Sequence, residues 1–175
     1  MEDELFEPIR ISADLFAAEL GAEALKSEWI DCQEVLVDVA SALRSFAHAK
    51  GLQLEIVAPA TQIKIHTDRR ALCKILFDLL ETSIRITENG GISVQLHRRM
   101  HGHLGKISTD FSVEASRPDV QPEDQSTLFR LFEPLDRAKS GLSLSLTLAG
   151  LLGGRIEMAD IPGGSRILRL VILGE

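Results

Sequence analysis

Cysteine is scarce: Cys32 and Cys73 are the only two in 175 residues. Their separation matches no metal-ligand spacing and makes no disulfide framework. Both read as small core residues, and a reducing cytoplasm suits them. No apolar run reaches the roughly 18 residues that a membrane span needs, so no membrane contact is expected. Positive charge is also in deficit. The 19 Lys and Arg face 26 Asp and Glu, for a net charge of −7. Nucleic acid is thereby excluded as a main partner, because phosphate binding needs a positive surface. Met1 is followed by Glu2-Asp3-Glu4 and not by a basic and apolar leader, so no signal peptide is expected. There is no internal repeat, no low-complexity tract and no Gly-x-Ser-x-Gly element, and neither cysteine has a catalytic setting. No nucleophile stands out.

What remains is an ordinary globular composition, 45% hydrophobic and 26% charged. That length supports one domain with a real core and one extra element. Residues 5–25 read as a helix, with Ile9, Leu15, Phe16, Leu20 and Leu25 loosely on one side. Trp29 to Asp31 is a short strand. Gln33 to Lys50 is a helix, with Val35, Leu36, Val39, Leu43 and Phe46 at helical spacing, stopped by Gly51. Leu52, Leu54 and Ile56 alternate with polar residues, as do Ile63 and Ile65, which is a strand pattern. Asp68 caps a helix that runs to about Ile86, with Leu72, Ile75, Leu76, Leu79 and Leu80 on its buried face. Asn89-Gly90-Gly91 is a turn. Strands over Ile92 to Arg98 and Lys106 to Val113 are joined by a polar connection from Met100 to Gly105. A helix from Leu142 to Leu152 ends at Gly153-Gly154. Strands over Arg155 to Met158 and Ser165 to Leu173 flank a Pro162-Gly163-Gly164 turn. Strands and helices do not alternate as in a doubly wound sheet. The order predicts an α+β two-layer sandwich: a mixed sheet with helices on one face, preceded by an N-terminal helix. The expected division is residues 1–27 as the extra helix and linker, and 28–175 as the domain.

The segment from Phe111 to Pro134, FSVEASRPDVQPEDQSTLFRLFEP, resembles VxDTGPGIPPEDQxxLFxxFxP of sensor histidine kinases. That family shares one Bergerat-type α/β sandwich with the gyrase and heat-shock-chaperone ATPases. Asp68 to Thr87, DRRALCKILFDLLETSIRIT, resembles the family's DxxrLxqiLxNLLxNAikfT. Leu128 to Pro134 matches iFexFxp, whose phenylalanines pack at the base of the lid over ATP. Lys139 to Leu144, KSGLSL, stands against GtGLGL. The tail around Gly153, Gly154, Ile156, Pro162, Gly164 and Ser165 resembles GGxixvxSxpGxGSxF. The resemblance covers roughly Asp14 to Leu173.

The frame survives while the nucleotide chemistry is altered. The family's first asparagine falls on Asp78. Its second, which helps to coordinate magnesium, falls on Thr82. A carboxylate at Asp78 could still face a cation, whereas Thr82 offers only a neutral hydroxyl, a poor magnesium ligand. The aspartate that accepts the adenine amino group falls on Ala115, which cannot accept. Such a charged hydrogen bond contributes roughly 1.5–3 kcal/mol, so its loss costs about one to two powers of ten in affinity. Two glycines that let backbone approach the nucleotide fall on Arg117 and Asp119. Of three phosphate-cradling glycines only Gly141 remains, the others falling on Lys139 and Ser143. The segment from Asp136 to Lys139 is short for an ATP lid. Asp78, Thr82, Ala115, Arg117, Asp119, Gly141 and Ser143 thus read as vestigial nucleotide-site positions.

The resemblance implies a pseudo-histidine-kinase domain of two-component signalling. It would be cytoplasmic, need no cofactor and work by binding a response regulator or a sensor histidine kinase. The opening helix resembles the exit from a kinase dimerisation hairpin, which implies a possible homodimer; the plainer reading is a surface helix packed on the domain. Two rivals are carried forward. One is a divergent but active histidine kinase domain that uses ATP and magnesium. The other is part of a histidine phosphotransferase relay. An upstream H-E/D-x-x-x-P helix in a longer protein would favour either, and a stand-alone gene an adaptor. His48 sits in RSFAHAKG, not in the phosphoacceptor context, and His66 reads as a strand-end residue. His97, His101 and His103 have a spacing that metal sites use, but on or beside a hairpin they read first as an exposed turn.

Overall fold

The computed structural model describes residues 25–102, 105–116, 133–134, 142–161 and 165–174. The expected N-terminal helix, up to residue 24, lies outside them. Strand β1 (Glu28–Asp31) leads directly into helix α1 (Cys32–Ala49). Asp31 caps α1: its carboxylate accepts from the backbone N–H groups of Gln33 at 2.9 Å and Glu34 at 3.3 Å, satisfying donors that a first turn leaves open. Val35, Leu36, Val39, Leu43 and Ala47 recur at helical spacing and are all buried. The helix closes at Gly51, whose φ of 73° is the left-handed conformation such ends favour.

Strands β2 (Gln53–Val57) and β3 (Lys64–Thr67) precede helix α2 (Arg69–Ile86). Asp68 accepts from Ala71 N–H at 3.0 Å and, with its other oxygen, from Lys26 N–H at 2.8 Å. Burial is the largest influence on this carboxyl and pushes it up. Those hydrogen bonds and the Arg70 charge outweigh it and leave Asp68 below the usual carboxylate range. At the other end of α2, Lys50 Nζ donates to the carbonyls of Ile84 and Arg85 at 2.9 and 2.8 Å. The end of α1 therefore supplies a cation to the negative pole of α2.

Strands β4 (Gly91–His101) and β5 (Lys106–Ser116) form a hairpin, followed by β6 (Glu133–Pro134), helix α3 (Ser143–Leu151), β7 (Gly154–Ile161) and β8 (Ser165–Gly174). The main sheet has the order β2-β4-β5-β8-β7-β6. Among the described residues only β2 and β4 pair in parallel; every other pairing in this sheet is antiparallel. β1 and β3 pair with each other as a separate ribbon. Val94, Leu96, Phe111, Val113, Leu168 and Leu170 share one core cluster with the buried faces of α1 and α2. The expected mixed-sheet α/β sandwich is therefore what forms.

Several boundaries differ from expectation. Met100 and His101 are strand residues, not connection, because antiparallel pairing draws them opposite Ile107 and Lys106. β7 runs on to Ile161, paired with Ser165. Cys32 is fully buried, while Cys73 is only half-buried. Among the described residues no helix is long and apolar enough to cross a membrane.

Glu157 and Arg169 face each other across β7 and β8. Arg155 Nε also bonds Glu157, at 2.6 Å. Burial pushes the Glu157 carboxyl up, but the hydrogen bonds and charges of Arg169 and Arg155 prevail and hold it below the ordinary glutamate value. A depressed carboxyl stabilises the fold above its unfolded-state pKa, and that contribution is lost as pH falls through the folded one. Urea midpoints of the wild type should therefore drop between about pH 5 and about pH 2 more steeply than those of Glu157→Gln. Parallel curves would refute this role.

Candidate functional site

The C-terminal end of α2, the middle of the sheet and the β7–β8 hairpin enclose a cleft of about 470 Å³. It is lined by Ile86, Thr87, Glu88, Asn89, Ala115, Asp160, Ser165 and Arg166. Ala115 presents a methyl group there and is 7% exposed. The Thr87 hydroxyl is spent on the Ser83 carbonyl. Ser165, 4% exposed, has a buried hydroxyl with no hydrogen-bond partner among the described residues. Near the mouth, Arg166 Nε pairs with Asp160 Oδ1 at 2.6 Å. Among the described lining residues, the buried ones thus offer one open hydroxyl, while the two carboxylates, Glu88 and Asp160, belong to exposed residues.

Asp78 lies two helical turns before Ile86 on α2, and both of its oxygens are taken. Lys74 Nζ sits 2.6 Å from Oδ1, and Ser145 Oγ donates to Oδ2 at 2.7 Å. Lys74 and Asp78 keep only 15% and 16% of their side-chain exposure, and Ser145 is fully buried. An ammonium group therefore stands beside the carboxylate that could have met a metal ion, and a hydroxyl from α3 binds its other side. Thr82, one turn on, is half-buried. Ser143 opens α3 and is exposed; the cap residue Leu142 gives that helix no side-chain hydrogen bond. Arg117, Asp119 and Gly141 lie outside the described residues.

The structure thus brings Asp78 together with two residues that motif reading passed over. Lys74 was available from the sequence, since a Lys and an Asp four apart share a helix face. Ser145 is 67 positions from Asp78 and had no local signal. Among the described residues no group of three or more His, Cys, Asp or Glu could hold a metal ion. His97 and His101 are exposed strand residues, and His103 is outside the described set. His66 packs edge-on against Trp29 at 5.4 Å. His101, Ser108 and Asp110 form a chain of contacts at 2.6 and 2.8 Å. It lacks the geometry of a nucleophilic triad. The aspartate accepts from the serine and leaves the histidine unoriented, and the serine is fully buried.

No protein-family model matches the chain. It is 29% identical over 165 residues to the Non-motile and phage-resistance protein of Caulobacter vibrioides, covering 86% of this chain and 18% of that protein. It is 28% identical over 173 residues to Histidine protein kinase DivJ of the same organism, covering 94% of this chain and 27% of that kinase. The chain therefore spans only 18% and 27% of the lengths of these two curated relatives. Among solved structures, the cytoplasmic segment of histidine kinase QseC superposes with a TM-score of 0.67 at 16% identity, covering 95% of each chain. Histidine kinase ThkA, solved in complex with the response regulator TrrA, gives 0.65 at 17% identity, covering 97% of this chain and 48% of that one. These likenesses define the class by fold: the chain folds like the ATPase-type domains of histidine kinases and is similar in sequence to histidine kinases.

Proposed function

We propose that this domain is a pseudo-histidine-kinase of two-component signalling. It has lost ATP binding and acts in the cytoplasm by contact with a response regulator or a sensor histidine kinase. The observation that carries this reading is the Lys74–Asp78–Ser145 cluster. Magnesium recruited to Asp78 would have to displace a paired ammonium and break a hydrogen bond from a buried hydroxyl, and removing one partner of a buried pair is costly. Ala115 adds a second loss, because a methyl group on the cleft wall stands where the resemblance expects an aspartate to accept from the adenine amino group. A protein with this fold has been solved bound to a response regulator, which supports that choice of partner class.

Calorimetric titration with ATP and magnesium tests the proposal. The expected result is no heat of binding up to about millimolar nucleotide, the concentration at which binding free energy is only about −4 kcal/mol. Micromolar binding, or radiolabel transferred from ATP to an added dimerisation domain, would overturn it. The open Ser165 hydroxyl and the surviving cleft favour the second reading, a divergent but active ATP-dependent histidine kinase domain. The same titration separates the two.

A further inference from the structure

Strand β2 is shorter than its neighbour. It pairs with β4 only from Gln53↔Gly91 to Val57↔Gln95, while β4 continues to His101, paired on its other side with β5. From Leu96 to His101 the outer edge of β4 therefore faces no strand among the described residues. Residues 97–101 are all exposed. Alternate N–H and C=O groups along such an edge are a template for another strand. Beside it lies a groove of about 470 Å³ whose lining includes Val57, Pro59, Ile63, Leu96 and Arg98. Met100, 77% exposed, stands further along the same edge.

The charge on this edge runs against that of the molecule. The sequence from 97 to 101 is His-Arg-Arg-Met-His, in a chain whose net charge is −7. Arg99 is committed to Asp110 at 2.9 Å. Arg98 makes no ion pair with a described residue. Period-two alternation divides the overhang: Leu96, Arg98 and Met100 point to the helix side, and His97, Arg99 and His101 to the other.

We propose that the β4 overhang is a docking edge for an extended acidic peptide of a partner protein, which adds as a strand in the lane that β2 vacates after Val57. The peptide's alternate acidic residues would face the side that carries Arg98, an exposed arginine with no ion pair to a described residue. This is strand addition, in which main-chain hydrogen bonds supply affinity and alternate side chains supply specificity. The inference does not depend on whether the cleft binds nucleotide.

The probe is a fluorescein-labelled capped peptide of alternating glutamate and valine, with a lysine-valine peptide of equal length as control. Anisotropy should show saturable binding of the acidic peptide that weakens at high salt, and no comparable binding of the basic one. Arg98→Glu, an exposed position, should weaken binding about tenfold or more while leaving the urea midpoint unchanged. Hydrogen exchange should slow at amides within residues 97–101 when the acidic peptide is bound. Equal binding of both peptides, binding without that protection, or no binding at all would overturn the proposal. The last outcome would mean that the charges only shield the edge against pairing.

Discussion

Gly154→Ala is expected to lower the unfolding free energy by about 3 kcal/mol, the upper end of the range for overpacking. A Cβ on Gly154 would lie 2.3 Å from the carbonyl oxygen of Val171 and 3.3 Å from Ile172 Cα. Both obstacles are backbone of the paired strand β8, so no rotamer change relieves the clash. Gly154 begins the β7–β8 ladder opposite Ile172, and strand separation there would propagate to Ile156 and Leu170 in the core. Gly150→Ala is the control. Its added Cβ meets nothing within 4 Å, and it lies within helix α3, so the change should be neutral or stabilising by up to about 1 kcal/mol. Urea denaturation of both variants checks the contrast. Equal midpoints would show that β7 and β8 separate at this point at little cost.

Asp78→Ala should cost about 2–3 kcal/mol. Removing one member of a buried ion pair costs about 3–5 kcal/mol, and the residual exposure of Lys74 and Asp78 reduces that figure. The loss comes less from the attraction itself than from leaving an ammonium and the fully buried Ser145 hydroxyl without their acceptor. Asp78→Asn should cost less, because an amide oxygen still accepts from Ser145. The double change Lys74→Met with Asp78→Leu should be neutral or stabilising, since replacing a buried pair by apolar side chains of similar size often is. This series also bears on function. If Asp78→Asn were to raise ATP affinity into the micromolar range, the Lys74–Asp78 pair would be the main block to nucleotide. Unchanged weak binding would assign that role to Ala115 and the other altered positions.

Much of this was legible in the order of residues alone. The Asp68 cap and the spacing of Leu72, Ile75, Leu76, Leu79 and Leu80 mark α2 because capping and helical burial are local and periodic. Alternation marks the strands for the same reason. Ala115 was singled out by the motif resemblance alone, beyond the expected strand end at Val113, and the structure places it on the cleft wall. The strand status of Met100 and His101 was not legible, because their pairing with Ile107 and Lys106 outweighs local polarity. Nor was the β1–β3 ribbon, which joins Glu28 to Thr67 across a whole helix. Local chemistry along the chain, with backbone hydrogen bonds and hydrophobic periodicity satisfied within a few residues, was enough to indicate most elements and the fold class. The occupation of Asp78 by Ser145, the unpaired hydroxyl of Ser165 and the bare edge of β4 arise only when distant segments pack, because each depends on which partner the tertiary fold brings, or fails to bring, within hydrogen-bonding distance.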